Sequence, residues 1–310
     1  MLIPKKNIEE KNTFFESRLP KFLSASRQKT ISKELRFSGI GLHTGNNVIM
    51  KLSPAPVDTG VVFRIKNNNS ISSIKAHFDN VESTKLCTLI SDKNGNSVST
   101  VEHILSALYA FEIDNIYIDI NSNEIPVYDG SSCFFVEKIN QTGFDLQDSY
   151  KRFIKIKKNI EVIDNGKVAR VSPFDNTLIT TEINYDHKAI GKQTISILLN
   201  PKIYQSQVCS ARTFGFLKDV ENLRKNGLAL GGSLKNAIVL DDEKVLNKDG
   251  LRFSDEFVRH KLLDFIGDIS LAGHRILGSF FTSHTGHELN CKLLKKIFQS
   301  QDNWELVCSN

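Results

Sequence analysis

Apolar positions along this chain recur at two spacings. Phe257, Leu262, Phe265, Ile266 and Ile269 return as on a helix. Ile116, Ile118 and Ile120 instead alternate with polar residues, the period of a strand with one face buried. In the first half the pattern predicts strands over 48–52, 60–65, 86–91 and 114–120, with a turn at 92–96. It predicts a helix over 100–110, capped by Ser99 or Thr100, with Glu102 in the first turn where a negative charge suits the dipole. The second half repeats the plan. Strands are expected near 152–157, 168–171, 178–183, 237–240 and 278–282, and helices over 219–226, around His260 and over 288–300.

Residues 141–150 are polar and carry no strong pattern, so a domain junction is placed there. The expected fold is α+β, with two related layers, 29–149 and 150–310, facing each other. Residues 1–28 read as a mobile leader without a catalytic part.

Composition narrows the class. The 310 residues are 40% apolar and 24% charged, and no apolar run approaches the roughly 18 residues of a membrane span. The five cysteines (Cys87, Cys133, Cys209, Cys291 and Cys308) are scattered and form no C-x-x-C. That spacing argues for a reducing, cytoplasmic setting and against a disulfide framework or a cysteine zinc knot. Net charge is +5, of which +3 falls in residues 1–28, so the remainder has little of the basic character of a nucleic-acid binder. The leader lacks the apolar core of a secretory signal, and Glu9, Glu10 and Glu16 count against an organelle-targeting peptide.

Three segments carry chemistry-bearing residues. On a helix, His260, Asp264 and less closely Asp268 share one stripe, because four residues make slightly more than a turn. An imidazole and a carboxylate at that spacing can reach one metal ion, or they can form a hydrogen-bonded pair inside a core. Glu102 and His103 are adjacent, so their side chains diverge by about 100°. They suit different tasks, His103 as a ligand and Glu102 over a water, or they are simply a solvated helix start. His287 follows Gly286 at a helix start, where His⁺ is disfavoured unless an acid such as Asp268 compensates. The apolar, glycine-punctuated run 227–232 is either core or the lining of a hydrocarbon channel.

Together these segments form a recognisable series. Thr100-Val101-Glu102-His103, 125–131 (IPVYDGS), 211–216 (ARTFGF), Gly231-Gly232-Ser233, 260–264 (HKLLD) and Gly286-His287 occur in the order and spacing of one family. Over about residues 29–305 the chain resembles the UDP-3-O-acyl-N-acetylglucosamine deacetylases, zinc amidases of lipid A synthesis.

The resemblance implies Zn²⁺ held by His103, His260 and Asp264, with an open fourth position for water, and Fe²⁺ as an alternative occupant in cells. It implies Glu102 as general base and His287 as the group that stabilises charge and protonates the leaving amine. Asp268 would orient His287, and Thr213 would help hold the oxyanion. Lys261 and Lys167 match positions at the sugar or diphosphate, Phe214 and Tyr185 match aromatics against hexose or uracil, and His43 lies in the site-lining turn 41–45. The segment 212–240 matches a βαβ insert that forms the acyl passage, and the resemblance implies two similar β-α-α-β layered domains packed as a sandwich with the active site between them. The implied partner is UDP-3-O-acyl-N-acetylglucosamine, bound by a monomer without a membrane span.

Tyr185-Asp186-His187-Lys188 departs from the Phe-Asn-His-Pro usual in the family, and the leader is an addition. Two rivals remain. A two-histidine, one-carboxylate set also suits non-haem Fe(II) oxygenases, though such an enzyme has no need of a base beside the ligand. A nucleotide-binding module without catalysis would not need every catalytic position filled.

Overall fold

A computed structural model describes residues 26–67 and 70–309; most of the leader lies outside them. The first strand, Arg27–Ile31, begins two residues before residue 29, the expected start of the first domain.

The first half is built on a five-stranded sheet in the order Leu35–Ile40, Asn47–Pro54, Ile116–Ile120, Val61–Asn67, Ser70–Lys75. Its pairs are antiparallel except Val61–Asn67 with Ile116–Ile120. The alternation works as read. Leu52, Ile118 and Phe63 lie in one register row and are fully buried. The next residues, Lys51, Asp119 and Arg64, form the row on the other face, where Arg64 donates to both Asp119 oxygens at 2.7 and 2.8 Å. Two helices belong to this half, α1 (Glu102–Ala110) and α2 (Cys133–Thr142).

The second half carries a seven-stranded sheet centred on Arg275–Ser283. That strand pairs in parallel with Arg152–Ile156 and Thr177–Tyr185, and antiparallel with Lys167–Ser172. Its helices are α3 (Pro201–Gln207), α4 (Leu217–Lys225), α5 (Glu256–Ser270) and α6 (His287–Phe298). Helix α1 packs against α5. Both are buried almost all round, as expected for helices covered on every side. One continuous apolar cluster reaches from Met50 and Phe63 through Ile104 and Leu108 to Leu262, Phe265 and Phe280. The fold is α+β. Within 212–240, the strands Phe214–Phe216 and Ile238–Leu240 pair in parallel across α4, the βαβ unit expected there.

Three expectations need correction. Helix α1 starts at Glu102, and its N-cap is Val101 without a side-chain cap. Thr100 stands in the left-handed region (φ 59°) and turns its hydroxyl to Glu124 instead of the helix. The supposedly patternless 141–150 contains a strand, Phe144–Tyr150, paired antiparallel with Arg27–Ile31. It shows no alternation because its apolar side chains face outward, Leu146 being 66% exposed. Beyond the helix expected over 288–300 lies a strand the pattern did not predict: Trp304–Cys308 pairs with Arg152–Ile156.

Candidate metal centre

The first turn of α1 faces the middle of α5, and a glycine allows the approach. A Cβ on Gly267 would lie 2.2 Å from the Glu102 carbonyl oxygen, a separation that only a missing side chain permits. Ser132 fixes the same turn from the other side, its hydroxyl donating to the His103 carbonyl at 2.7 Å.

Across this seam His103, His260 and Asp264 converge, all buried, with donor atoms within 4.8 Å of one another. The two oxygens of the Asp264 carboxylate face different neighbours. Oδ2 accepts from Lys261 Nζ at 2.9 Å, while Oδ1 lies 3.2 Å from His260 Nε2 and 3.8 Å from His103 Nε2. His260 Nδ1 is 3.0 Å from the Ala211 carbonyl, which can only accept, so Nδ1 carries the proton. Burial, reinforced for His103 by the neighbouring His260, pushes both imidazoles down, His103 to about 3. A neutral His260 therefore presents a bare Nε2 lone pair to a carboxylate oxygen, an arrangement that a cation relieves. Burial would raise Asp264, but the Lys261 ammonium bonded to its Oδ2 outweighs it and keeps the carboxylate ionised. The donor set and its charge state fit a divalent metal.

The Ala211 carbonyl is itself held. Glu256, in the first turn of α5, accepts from Arg212 N at 3.0 Å and Nε at 2.8 Å through one oxygen, and from the guanidinium at 3.0 Å through the other. The pair is buried, and its bonds to both main chain and side chain of Arg212 locate Thr213 and the strand that begins at Phe214.

Glu102 and His287 stand on the other side of the cluster. Burial pushes the Glu102 carboxyl up to about 7, against the pull of His287. Burial would lower His287, but Asp268 overrides it and raises the imidazole to about 10. Asp268 Oδ2 receives His287 Nδ1 at 2.9 Å and Asn290 Nδ2 at 2.8 Å. His287 Nε2 is then the free corner, 3.9 Å from Glu102 Oε1.

These groups open into a cleft of about 430 Å³, lined also by His43, Lys167, Thr213, Phe214 and Lys261. Tyr185 is not part of that lining; it stands edge-on to Phe214, with ring centres 5.8 Å apart. His187, in the segment that departs from the family, ties its Nε2 to the Asp241 carbonyl at 2.8 Å.

The sequence reading missed the most connected acid of the first half. Glu124, wholly buried, accepts from His43 N at 2.7 Å, Thr44 N at 2.8 Å and Thr44 Oγ1 at 2.6 Å. It thereby shapes the turn 41–45, and a Cβ on Gly41 would meet its carboxylate at 2.2 Å. The available signal was an acid entering an apolar run, Glu124-Ile125-Pro126-Val127. The turn also touches the insert: Leu230 N donates to His43 O and Gly231 N to Leu42 O, each at 3.0 Å.

The model of the UDP-3-O-acyl N-acetylglycosamine deacetylase family matches residues 28–299. The chain belongs to this family. Among its relatives, the UDP-3-O-acyl-N-acetylglucosamine deacetylase of Syntrophotalea carbinolica is 46% identical over 280 residues, 90% of each chain. Those of Thioalkalivibrio sulfidiphilus and Haemophilus influenzae are 46% and 44% identical, covering 91% of this chain and 93% of theirs. The family match spans both halves, so every element of the deacetylase cleft described above falls inside it.

Proposed function

We propose that this protein hydrolyses the N-acetyl group of UDP-3-O-acyl-N-acetylglucosamine, releasing acetate and UDP-3-O-acyl-glucosamine in the committed step of lipid A synthesis. The observation that carries the reading is the convergence of His103, His260 and Asp264 with Glu102 and His287 in one cleft of a chain belonging to this family. Zn²⁺ is the proposed metal; when bound, it would polarise the amide carbonyl and bring the pKa of water toward about 7. Fe²⁺ suits the same donors, and elemental analysis separates the two.

The chain's own groups supply the rest. Glu102, pushed up to about 7 by burial, takes the proton of the attacking water. Protonated His287, oriented by Asp268, stabilises the developing charge through Nε2 and passes a proton to the leaving amine. Thr213 offers a hydroxyl to the oxyanion. Lys261 and Lys167 meet the sugar or diphosphate, Phe214 covers the hexose, and His43 closes the cleft from the turn 41–45. Tyr185 acts on the uracil side by supporting Phe214.

The acyl chain runs along the insert, where Leu217, Leu230 and Leu234 are about half exposed. Each methylene buried there contributes about 0.8 kcal/mol. Domains 29–149 and 150–310 form the two layers of a sandwich around the cleft, in a cytoplasmic monomer. Among the described residues no helix is long and apolar enough to cross a membrane.

The test is metal content together with acetate release from the substrate, for the wild type and for a His260→Ala/Asp264→Ala variant. One zinc per chain with acetate release, both lost in the variant, is the expected result. Metal without acetate release overturns the substrate assignment, and absence of metal overturns the mechanism.

A further inference from the structure

Thr88, buried just before the strand Leu89–Ser91, engages every polar group it owns. Its N–H donates to Glu102 Oε2 at 3.1 Å, and its carbonyl accepts from Val101 N at 3.4 Å, at the start of α1. Its hydroxyl donates to Asp268 Oδ1 at 2.6 Å. One residue thus touches both carboxylates that the proposed reaction needs, one on α1 and one on α5, and it also meets the backbone at which α1 begins.

We propose that Thr88 is a positioning residue that sets the distance and orientation between the base Glu102 and the acid His287, acting on the latter through Asp268. The inference rests on the roles proposed above for those two groups. A hydroxyl has a single proton, and here it goes to Asp268. The other Asp268 oxygen is occupied by His287 and Asn290 of α6, so three donors from two segments fix the carboxylate plane. Without the hydroxyl, Oδ1 is a buried acceptor lacking that donor, a condition that is costly enough to drive rearrangement. The carboxylate is then free to turn about its Cβ–Cγ bond and carries the His287 ring with it. His287 Nε2 stands 3.9 Å from Glu102 Oε1, so a small rotation alters the acid–base spacing. The main-chain bond to Glu102 is kept in Thr88→Val and Thr88→Ser alike, which lets a side-chain change isolate the Asp268 arm.

The test compares Thr88→Val, which keeps the shape and removes the hydroxyl, with Thr88→Ser, which keeps the hydroxyl. Thr88→Val should lower kcat about 10–100-fold, the usual cost of losing an orienting partner, with KM and bound metal unchanged. Thr88→Ser should stay near the wild type. In the NMR spectrum, the His287 Nδ1–H proton, shifted downfield by its carboxylate partner, should move in Thr88→Val and hold its position in Thr88→Ser. Wild-type kcat and an unmoved resonance in Thr88→Val overturn the proposal. A Thr88→Ser variant as slow as Thr88→Val also overturns it, because the methyl group and not the hydroxyl would then matter. Should the wild type release no acetate, the substrate reading fails on its own, while the resonance still decides whether Thr88 orients His287.

Discussion

Gly267 lies against the main chain of Glu102 so closely that a single methyl group would come within 2.2 Å of the carbonyl oxygen. The obstacle is backbone, which cannot swing aside as a flexible side chain would. Gly267→Ala must therefore push α1 away from α5. Overpacking of this kind typically costs about 1–3 kcal/mol. The same displacement separates His103 from His260 and Asp264, so metal affinity and kcat should fall together with the melting temperature. A variant with unchanged kcat and metal content would show that the seam does not set the site.

Glu102→Gln and His287→Ala each remove one proton carrier and leave His103, His260 and Asp264 in place. Each should lower kcat by about 10²–10⁴-fold while one metal ion per chain is retained. Steady-state rates beside elemental analysis separate this result from loss of the metal.

Asp268 is what keeps His287 charged against the effect of burial. With the imidazole at about 10, the acid form is present throughout the neutral range, and on the alkaline side activity should fall only as pH rises toward that value. Asp268→Asn removes the anion, so the alkaline limb of the kcat profile should move to lower pH. An alkaline limb unchanged in that variant assigns the limb to another group.

Far from the cleft, His274 is held down to about 4 by burial, with Arg152 and Lys75 adding to the effect. Its ordinary value is 6.5, so between these two values the unfolded chain binds a proton that the folded chain refuses. Stability is complete above about 6.5 and is lost as pH falls toward about 4. His274→Gln should flatten that part of the curve, read from denaturant midpoints at pH 7 and pH 5. Equal slopes in variant and wild type would remove His274 as the cause.

Much of this was legible in the sequence because burial imposes a period. The row Leu52–Ile118–Phe63 and the helix α5 show their spacing directly. The i, i+4 relation also placed His260 and Asp264 together without further information. What connects the two halves was not legible. That His103 meets them depends on Gly267, whose role is a missing side chain and leaves no periodic trace. Glu124 and Thr88 act through hydrogen bonds to residues distant in sequence, and short motifs do not record such partners. The strand Phe144–Tyr150 escaped notice for the opposite reason: its apolar groups face solvent, so no buried face disciplines the pattern.

The proposed metal donors divide across the seam, His103 from the first half and His260 with Asp264 from the second. A cation gripped by all three would behave as a removable cross-link, closing the chain into a loop much as a disulfide does, in a protein whose cysteines are all free. Ligand occupancy at a hundred times its dissociation constant is worth about 2.7 kcal/mol of folding stability. The core that spans both halves would hold the shape when the ion is withdrawn. Chelation should therefore loosen the protein without unfolding it, and proteolytic nicking of the stripped form would map how far the two halves then part.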